Sequence, residues 1–187
     1  YFMFWDKLEK SNYFLESIIK TADKDWNSRL IIHLLTAPIQ DGGQWDMWVN
    51  LVVKYGVLPQ CEMPESYSSS KSMRMNRMIT RKLRENAIVL RNMKMKQASD
   101  SDIFTEKKQM LEKIYKMLTI HLGNPPKNFD WQTRDKKKKL TWCPTELNYN
   151  KDSLLIASSN IDDIKYGKWN NTDIIKISYG SVWAAEA

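Results

Sequence analysis

Apolar residues recur every three or four positions from residue 1 to about residue 121, and this spacing constrains the fold most. Side chains at that spacing share one face of an α-helix. The clearest apolar stripe consists of Met75, Ile79, Leu83, Ala87 and Leu90. From Phe129 onward the helical spacing fades, and short β-branched or aromatic segments follow, for example at 174–177 and at Val182. The sequence therefore predicts an α+β fold with its helices first.

Capping and helix-breaking residues divide the first part into five predicted helices. The first four cover residues 1–20, 30–35, about 44–55 and about 72–97. The fifth ends at about residue 121, and Asp100, Ser101 and Asp102 are its predicted caps. Gly56 and Gly123 are the expected stops of the third and fifth helices. Residues 57–65 are predicted to be extended, and residues 66–72 to form a serine-rich loop.

The net charge of +7 is concentrated in one segment. Residues 66–139 carry +12, whereas residues 1–65 carry −3 and residues 140–187 carry −2. Five arginines of the fourth predicted helix share a face: Arg74, Arg77, Arg81, Arg84 and Arg91. One hypothesis is a non-enzymatic helical binding module that uses this face for nucleic acid or an acidic partner. The other is a solvated face, or one that pairs with acidic surface of the same protein; it is favoured because no aromatic residues interleave for base stacking.

Cysteine and histidine usage is sparse. Cys61 and Cys143 are too few for a disulfide framework and lack the Cys-x-x-Cys spacing of zinc sites, so no metal is predicted and a reducing compartment is favoured. Cys61 lies in an extended, Pro-flanked segment and Cys143 directly precedes Pro144, so neither has the setting of a thiolate nucleophile. We interpret His33 as a core-edge residue and His121 as part of a last helical turn. We therefore predict no Cys–His catalytic pair. No apolar run reaches the ~20 residues of a membrane span, so no membrane partner is expected.

The segment 40–45, which contains Asp41, Gly42 and Gly43, is the most informative short motif. Two adjacent glycines leave backbone N–H and C=O groups uncovered, so an extended peptide can hydrogen-bond to them as in strand addition. A plain turn between two helices explains the same residues, and the spacing alone leaves both interpretations open.

Several segments, taken in order, resemble one family. They are 1–10 (YFMFWDKLEK), 12–16 (NYFLE), 40–47 (QDGGQWDM), 54–59 (KYGVLP), 63–65 (MPE), 75–76 (MN), 82–85 (KLRE), 90–91 (LR), 122–126 (LGNPP), 129–131 (FDW) and 134–136 (RDK). Over about residues 1–139 the chain resembles the aminopeptidase C / bleomycin hydrolase family of papain-like cysteine peptidases. After about Leu140 the sequence departs from that pattern.

The resemblance implies a papain-like cysteine peptidase fold, of which this segment is mostly the helical half plus the start of the β-rich half. We expect residues 1–126 to form the helical half, with a long helical pair inserted at about 72–121. Residues 127–187 would begin the β-rich half, with divergent sequence after residue 140.

The resemblance also implies a function: a segment of a cysteine-type aminopeptidase that removes N-terminal residues from peptides through a thiol acyl-enzyme. The family's cysteine, histidine and asparagine match no residue of this segment, so no catalytic residue is expected in it, and the chain alone should be inactive. Asp41, Gly42 and Gly43 match the substrate-binding glycine pair of papain-like enzymes. The family further implies a cytoplasmic homo-hexamer that acts on peptide substrates without metal or cofactor.

Overall fold

The structure, a computed structural model, describes residues 1–134 and 140–146, and it describes side chains over residues 1–129. This part of the chain contains six helices and two strands. In chain order they are α1 (Phe2–Lys20), α2 (Arg29–Thr36), α3 (Trp45–Tyr55), α4 (Tyr67–Ser70), α5 (Met73–Met95), α6 (Asp100–Leu122), β1 (Asn128–Arg134) and β2 (Leu140–Glu146).

The five predicted helices are all present, and their ends have the expected local causes. Ser28 caps α2 because its hydroxyl accepts a hydrogen bond from the Ile31 N–H. Gly56 ends α3 with φ 72°, and Gly123 ends α6 with φ 90°, a backbone region that favours glycine. The apolar stripe of α5, from Met75 to Leu90, is fully buried as predicted.

Two local predictions were wrong. The serine-rich stretch is not only a loop: Ser66 accepts a hydrogen bond from the Ser69 N–H at 3.2 Å and so begins the short helix α4. The cap of α6 is Ser99, one residue before the predicted group, and its hydroxyl accepts from the Asp102 N–H at 3.1 Å. Sequence pattern predicts the ends of helices less reliably than their existence.

The chain divides into two compact units. One consists of Met3–Gly42 and Ser66–Asn124, and within it α5 packs against α6. Its buried aromatic and aliphatic side chains come mostly from α1, α5 and α6, with Phe4 stacking edge-on against Tyr115 at 5.0 Å. The burial of these faces from water provides its main stabilisation.

The other unit consists of Tyr1–Phe2, Gly43–Glu65 and the described residues from Pro125 onward. It contains α3, whose buried residues are Asn50, Leu51, Val52 and Tyr55. The strands β1 and β2 pair antiparallel, with Asn128 opposite Glu146 and Arg134 opposite Leu140. Strand structure therefore begins where helical periodicity fades; the β-like segments at 174–177 and Val182 lie outside the described residues. Of the described helices, none combines the length and apolarity needed to cross a membrane.

Candidate functional site

A buried lysine of α1 supports the loop that precedes the glycine pair. The side chain of Lys7 is only 1% exposed, and its Nζ donates to the Ile39 carbonyl at 2.8 Å. The same Nζ lies 2.6 Å from Oδ1 of Asp41. An ammonium group is costly to bury unless it is paired, so these contacts fix both the lysine and the loop.

A second lysine, one helical turn further along, holds the next residues of the loop. Lys10 Nζ donates to the carbonyl oxygens of Gln40 at 2.8 Å and Gly42 at 2.6 Å, and to Oδ2 of Asp6 at 2.8 Å. These three bonds use all the protons of the ammonium group. Lys7 and Lys10 meet the same loop because residues three apart share a helix face.

The Asp41 carboxylate joins this loop to the start of α5. Besides Lys7, it accepts hydrogen bonds from Ser72 Oγ at 2.7 Å and Asn76 Nδ2 at 2.8 Å. Burial raises the pKa of Asp41, but the bonds from Lys7, Ser72 and Asn76 outweigh burial and hold this pKa below its usual value. Burial lowers the pKa of Lys7, and the pairing with Asp41 only partly offsets that effect.

Gly42 and Gly43 follow on an exposed stretch of backbone. Gly42 has φ 85°, which an L-residue with a Cβ adopts only under strain, although open space surrounds the position of that Cβ. Within the described residues, the Gly42 N–H and both backbone groups of Gly43 make no hydrogen bond. The loop thus presents three free backbone groups from a position that two buried lysines fix.

The three predicted site residues are consecutive, but they behave differently. Gly42 and Gly43 offer free backbone groups, whereas the Asp41 carboxylate is occupied by Lys7, Ser72 and Asn76. Sequence reasoning missed the two lysines. The available signal was a pair of lysines three apart on α1, but lysines are so rarely buried that such a pair is normally interpreted as solvated.

The described side chains contain no Cys–His pair. Cys61 is a free, exposed thiol, and its Sγ lies 4.0 Å from Oε1 of Glu62. His121 Nδ1 lies 3.2 Å from Ser68 Oγ. His33 is exposed, so its placement at the core edge was wrong: the apolar face of α2 buries Ile31 rather than the histidine. Cys143 lies in β2, beyond the described side chains.

The five arginines of α5 do not form one solvated face. Arg91 is 4% exposed, and its guanidinium donates to the carbonyls of Thr21 and Lys24 and lies 4.2 Å from the centroid of the Trp26 ring. Arg84 donates from Nε to the Leu35 carbonyl at 2.9 Å and from Nη2 to the Thr36 carbonyl at 3.1 Å. The prediction for Arg91 was therefore wrong, and two of the five arginines already bind carbonyl groups of this chain.

Comparison with known proteins supplies a family. The profile of the peptidase C1-like family matches residues 1–150. Aminopeptidase C of Listeria monocytogenes is 48% identical over an alignment of 158 residues, which covers 79% of this chain and 34% of that protein. Bleomycin hydrolase of Oryctolagus cuniculus is 44% identical over 140 residues, 74% of this chain and 50% of that protein. The chain thus spans between a third and a half of the length of these relatives.

Similarity in structure agrees with similarity in sequence. The crystal structure of PepW from Lactobacillus rhamnosis HN001 superimposes with a TM-score of 0.74 at 44% identity, covering 82% of this chain and 36% of that one. The family match extends to residue 150, further than the resemblance at about 1–139 had indicated. On both grounds, the chain belongs to the peptidase C1-like family, and its fold is the papain-like peptidase fold, represented here mostly by the helical half.

Proposed function

We propose that this chain is a segment of a cysteine-type aminopeptidase and supplies one wall of the peptide-binding cleft. The family match and relatives named aminopeptidase C and bleomycin hydrolase support this function. The observation that carries it is the glycine pair, with free backbone groups on a loop held by Lys7 and Lys10.

The peptide substrate lies extended along Gly43, whose N–H donates to a substrate carbonyl and whose C=O accepts from a substrate N–H. Asp41 does not bind the substrate itself, because its carboxylate already pairs with Lys7 and accepts hydrogen bonds from Ser72 and Asn76. We therefore assign Asp41 as a positioning residue and Gly42 and Gly43 as the backbone that contacts the peptide. Fixed contacts of this kind lower the cost of aligning the scissile bond.

The bond-breaking residues are supplied from outside this segment. The reaction of such enzymes is acyl transfer to a cysteine thiolate, assisted by histidine, followed by hydrolysis. Cys61 has no histidine partner among the described side chains, so the chain alone is proposed to be inactive. The proposal also includes a homo-hexamer, a cytoplasmic location and a domain boundary near residue 126. All three rest on the family resemblance.

A chimera tests this function. The matching segment of Listeria monocytogenes aminopeptidase C is replaced by residues 1–139 of this chain, and kcat/KM is measured with an aminoacyl-fluorophore. We expect hydrolysis that a thiol alkylator abolishes, while the 187-residue chain alone gives none. A folded but inactive chimera would contradict the proposal. Activity of the chain alone that is lost in Cys61→Ser would also contradict it.

A further inference from the structure

An open groove of about 960 Å³ is lined by residues 36, 37 and 39–41 and by one side of α5. All of its lining residues belong to one compact unit. Its charged residues are Asp41, Arg77, Arg81, Arg84 and Glu85. The groove therefore begins one residue away from Gly42.

The two carboxylates of the groove are already paired with lysines that do not line it. Asp41 pairs with Lys7 at 2.6 Å, and Glu85 pairs with Lys82 at 3.0 Å. Among the described residues Arg77 has no polar partner, and Arg81 approaches Glu85 only at 3.7 Å. The arginines are thus left with positive charge that the groove itself does not neutralise.

Arg84 adds a guanidinium whose orientation is fixed. Its Nε and Nη2 donate to the last carbonyls of α2, which leaves the Nη1 protons free. A guanidinium held in this way loses little further conformational freedom when it binds a carboxylate.

We propose that this groove binds acidic side chains of a peptide, with Arg77, Arg81 and Arg84 as the carboxylate-binding residues. The choice of a peptide rests on the proposed function, because the groove is lined by Gln40 and Asp41, the residues directly before Gly42. Nucleic acid fits less well: the lining residues include no aromatic ring on which a base can stack. The substrate class is therefore peptides with Asp or Glu near the residues that contact the loop.

The test measures binding to the full 187-residue chain by fluorescence anisotropy at low ionic strength. The probes are a fluorescein-labelled peptide with two adjacent glutamates, its glutamine counterpart, and a single-stranded oligonucleotide. We expect the glutamate peptide to bind most tightly, and Arg77→Gln combined with Arg81→Gln to weaken it about tenfold, since each variant removes a charge-assisted pair. Arg74→Gln is the matched control, because Arg74 is exposed on the same helix but does not line the groove.

Equal binding of the glutamate and glutamine peptides would overturn the proposal, and so would a double variant that binds as the parent does. Tighter binding of the oligonucleotide would assign the groove to nucleic acid instead. The single variants, each expected to weaken binding about threefold, keep the test decisive if the double variant fails to fold.

The chimera separates the two proposals. If the chimera is active but the arginine variants leave its preference for glutamate over glutamine substrates unchanged, only the proposal of an acidic-peptide groove is refuted. If the glutamate peptide binds in an arginine-dependent way but the folded chimera is inactive, only the aminopeptidase function is refuted.

Discussion

Lys10 is buried, although lysine is among the residues least often found inside proteins. Its ammonium group donates hydrogen bonds to three oxygens, which are the Asp6 carboxylate and the carbonyls of Gln40 and Gly42. No periodicity argument identifies such a residue, since its position in the sequence is compatible with solvent exposure. The sequence predicted the loop of Asp41, Gly42 and Gly43, but not the lysines that hold it.

Lys10→Met tests this support. The variant keeps the apolar stem and removes the donor, which leaves the Asp6 carboxylate and two carbonyls without their partner. We expect a loss of about 2 kcal/mol in the free energy of unfolding, measured by urea denaturation, and faster amide hydrogen exchange in the loop. Lys20→Met, at the exposed end of α1, is the control. Equal small effects of both variants would contradict the role of Lys10.

Gly42→Ala tests the backbone conformation of the loop. Because Gly42 has φ 85°, alanine should cost about 1 kcal/mol of stability, even though the space around the added Cβ is open. Gly43→Ala is the comparison, since its Cβ would meet only the flexible tip of Met47, at 2.7 Å from Cε. Thermal unfolding of both variants measures the difference. A larger loss for Gly43→Ala would contradict this account.

At the scale of elements, helix positions followed from apolar spacing, and burial of the α5 stripe confirmed it. Other features depended on contacts that spacing does not contain. Arg91 is spaced like the exposed arginines of α5, yet it is buried. Its guanidinium donates to the carbonyls of Thr21 and Lys24 and lies over the ring of Trp26. Trp45 and Trp48 lie three residues apart on α3, so they share one side of it, yet they are 71% and 41% exposed.

The start of α6 gives a prediction at this scale. Ser99→Ala removes the hydroxyl that accepts from the Asp102 N–H and should lower the free energy of unfolding by about 1 kcal/mol. Ser101→Ala lies inside the first turn and is expected to change stability little. Chemical denaturation of both variants tests whether Ser99 is the cap of α6. A larger loss of unfolding free energy for Ser101→Ala would instead support the cap predicted from the sequence.

At the scale of the whole molecule, the Asp41 pair makes stability depend on pH. The pKa of Asp41 is lower in the folded than in the unfolded chain, whose usual value is 3.8. The folded state therefore binds fewer protons in this range, so the stabilisation is present above about pH 3.8 and is lost as the pH falls through the lowered pKa. We expect wild type to exceed Asp41→Asn in unfolding free energy at pH 7, by less than about 1 kcal/mol because the carboxylate is half exposed. This gap should narrow as the pH falls below about 3.8, and a gap that stays constant would contradict the assigned pairing.

The family of the whole molecule was predictable because eleven short segments occur in the family's order. The geometry of the site was not, because it depends on where two helices place Lys7, Lys10, Ser72 and Asn76 around one loop. Sequence motifs thus predicted which backbone contacts a peptide, and only the structure showed which side chains hold that backbone in place.

The most direct measurement is an NMR titration of the 187-residue chain with an unlabelled extended peptide. We predict that the amide resonances of Gly42 and Gly43 shift most. N-methylation of the peptide's paired amide should weaken binding about threefold to tenfold, which corresponds to the loss of one hydrogen bond. Lys10→Met should reduce the same shifts by releasing the loop. Shifts confined to other residues, with Gly42 and Gly43 unchanged at saturation, would contradict the assignment of this loop as the peptide-binding edge.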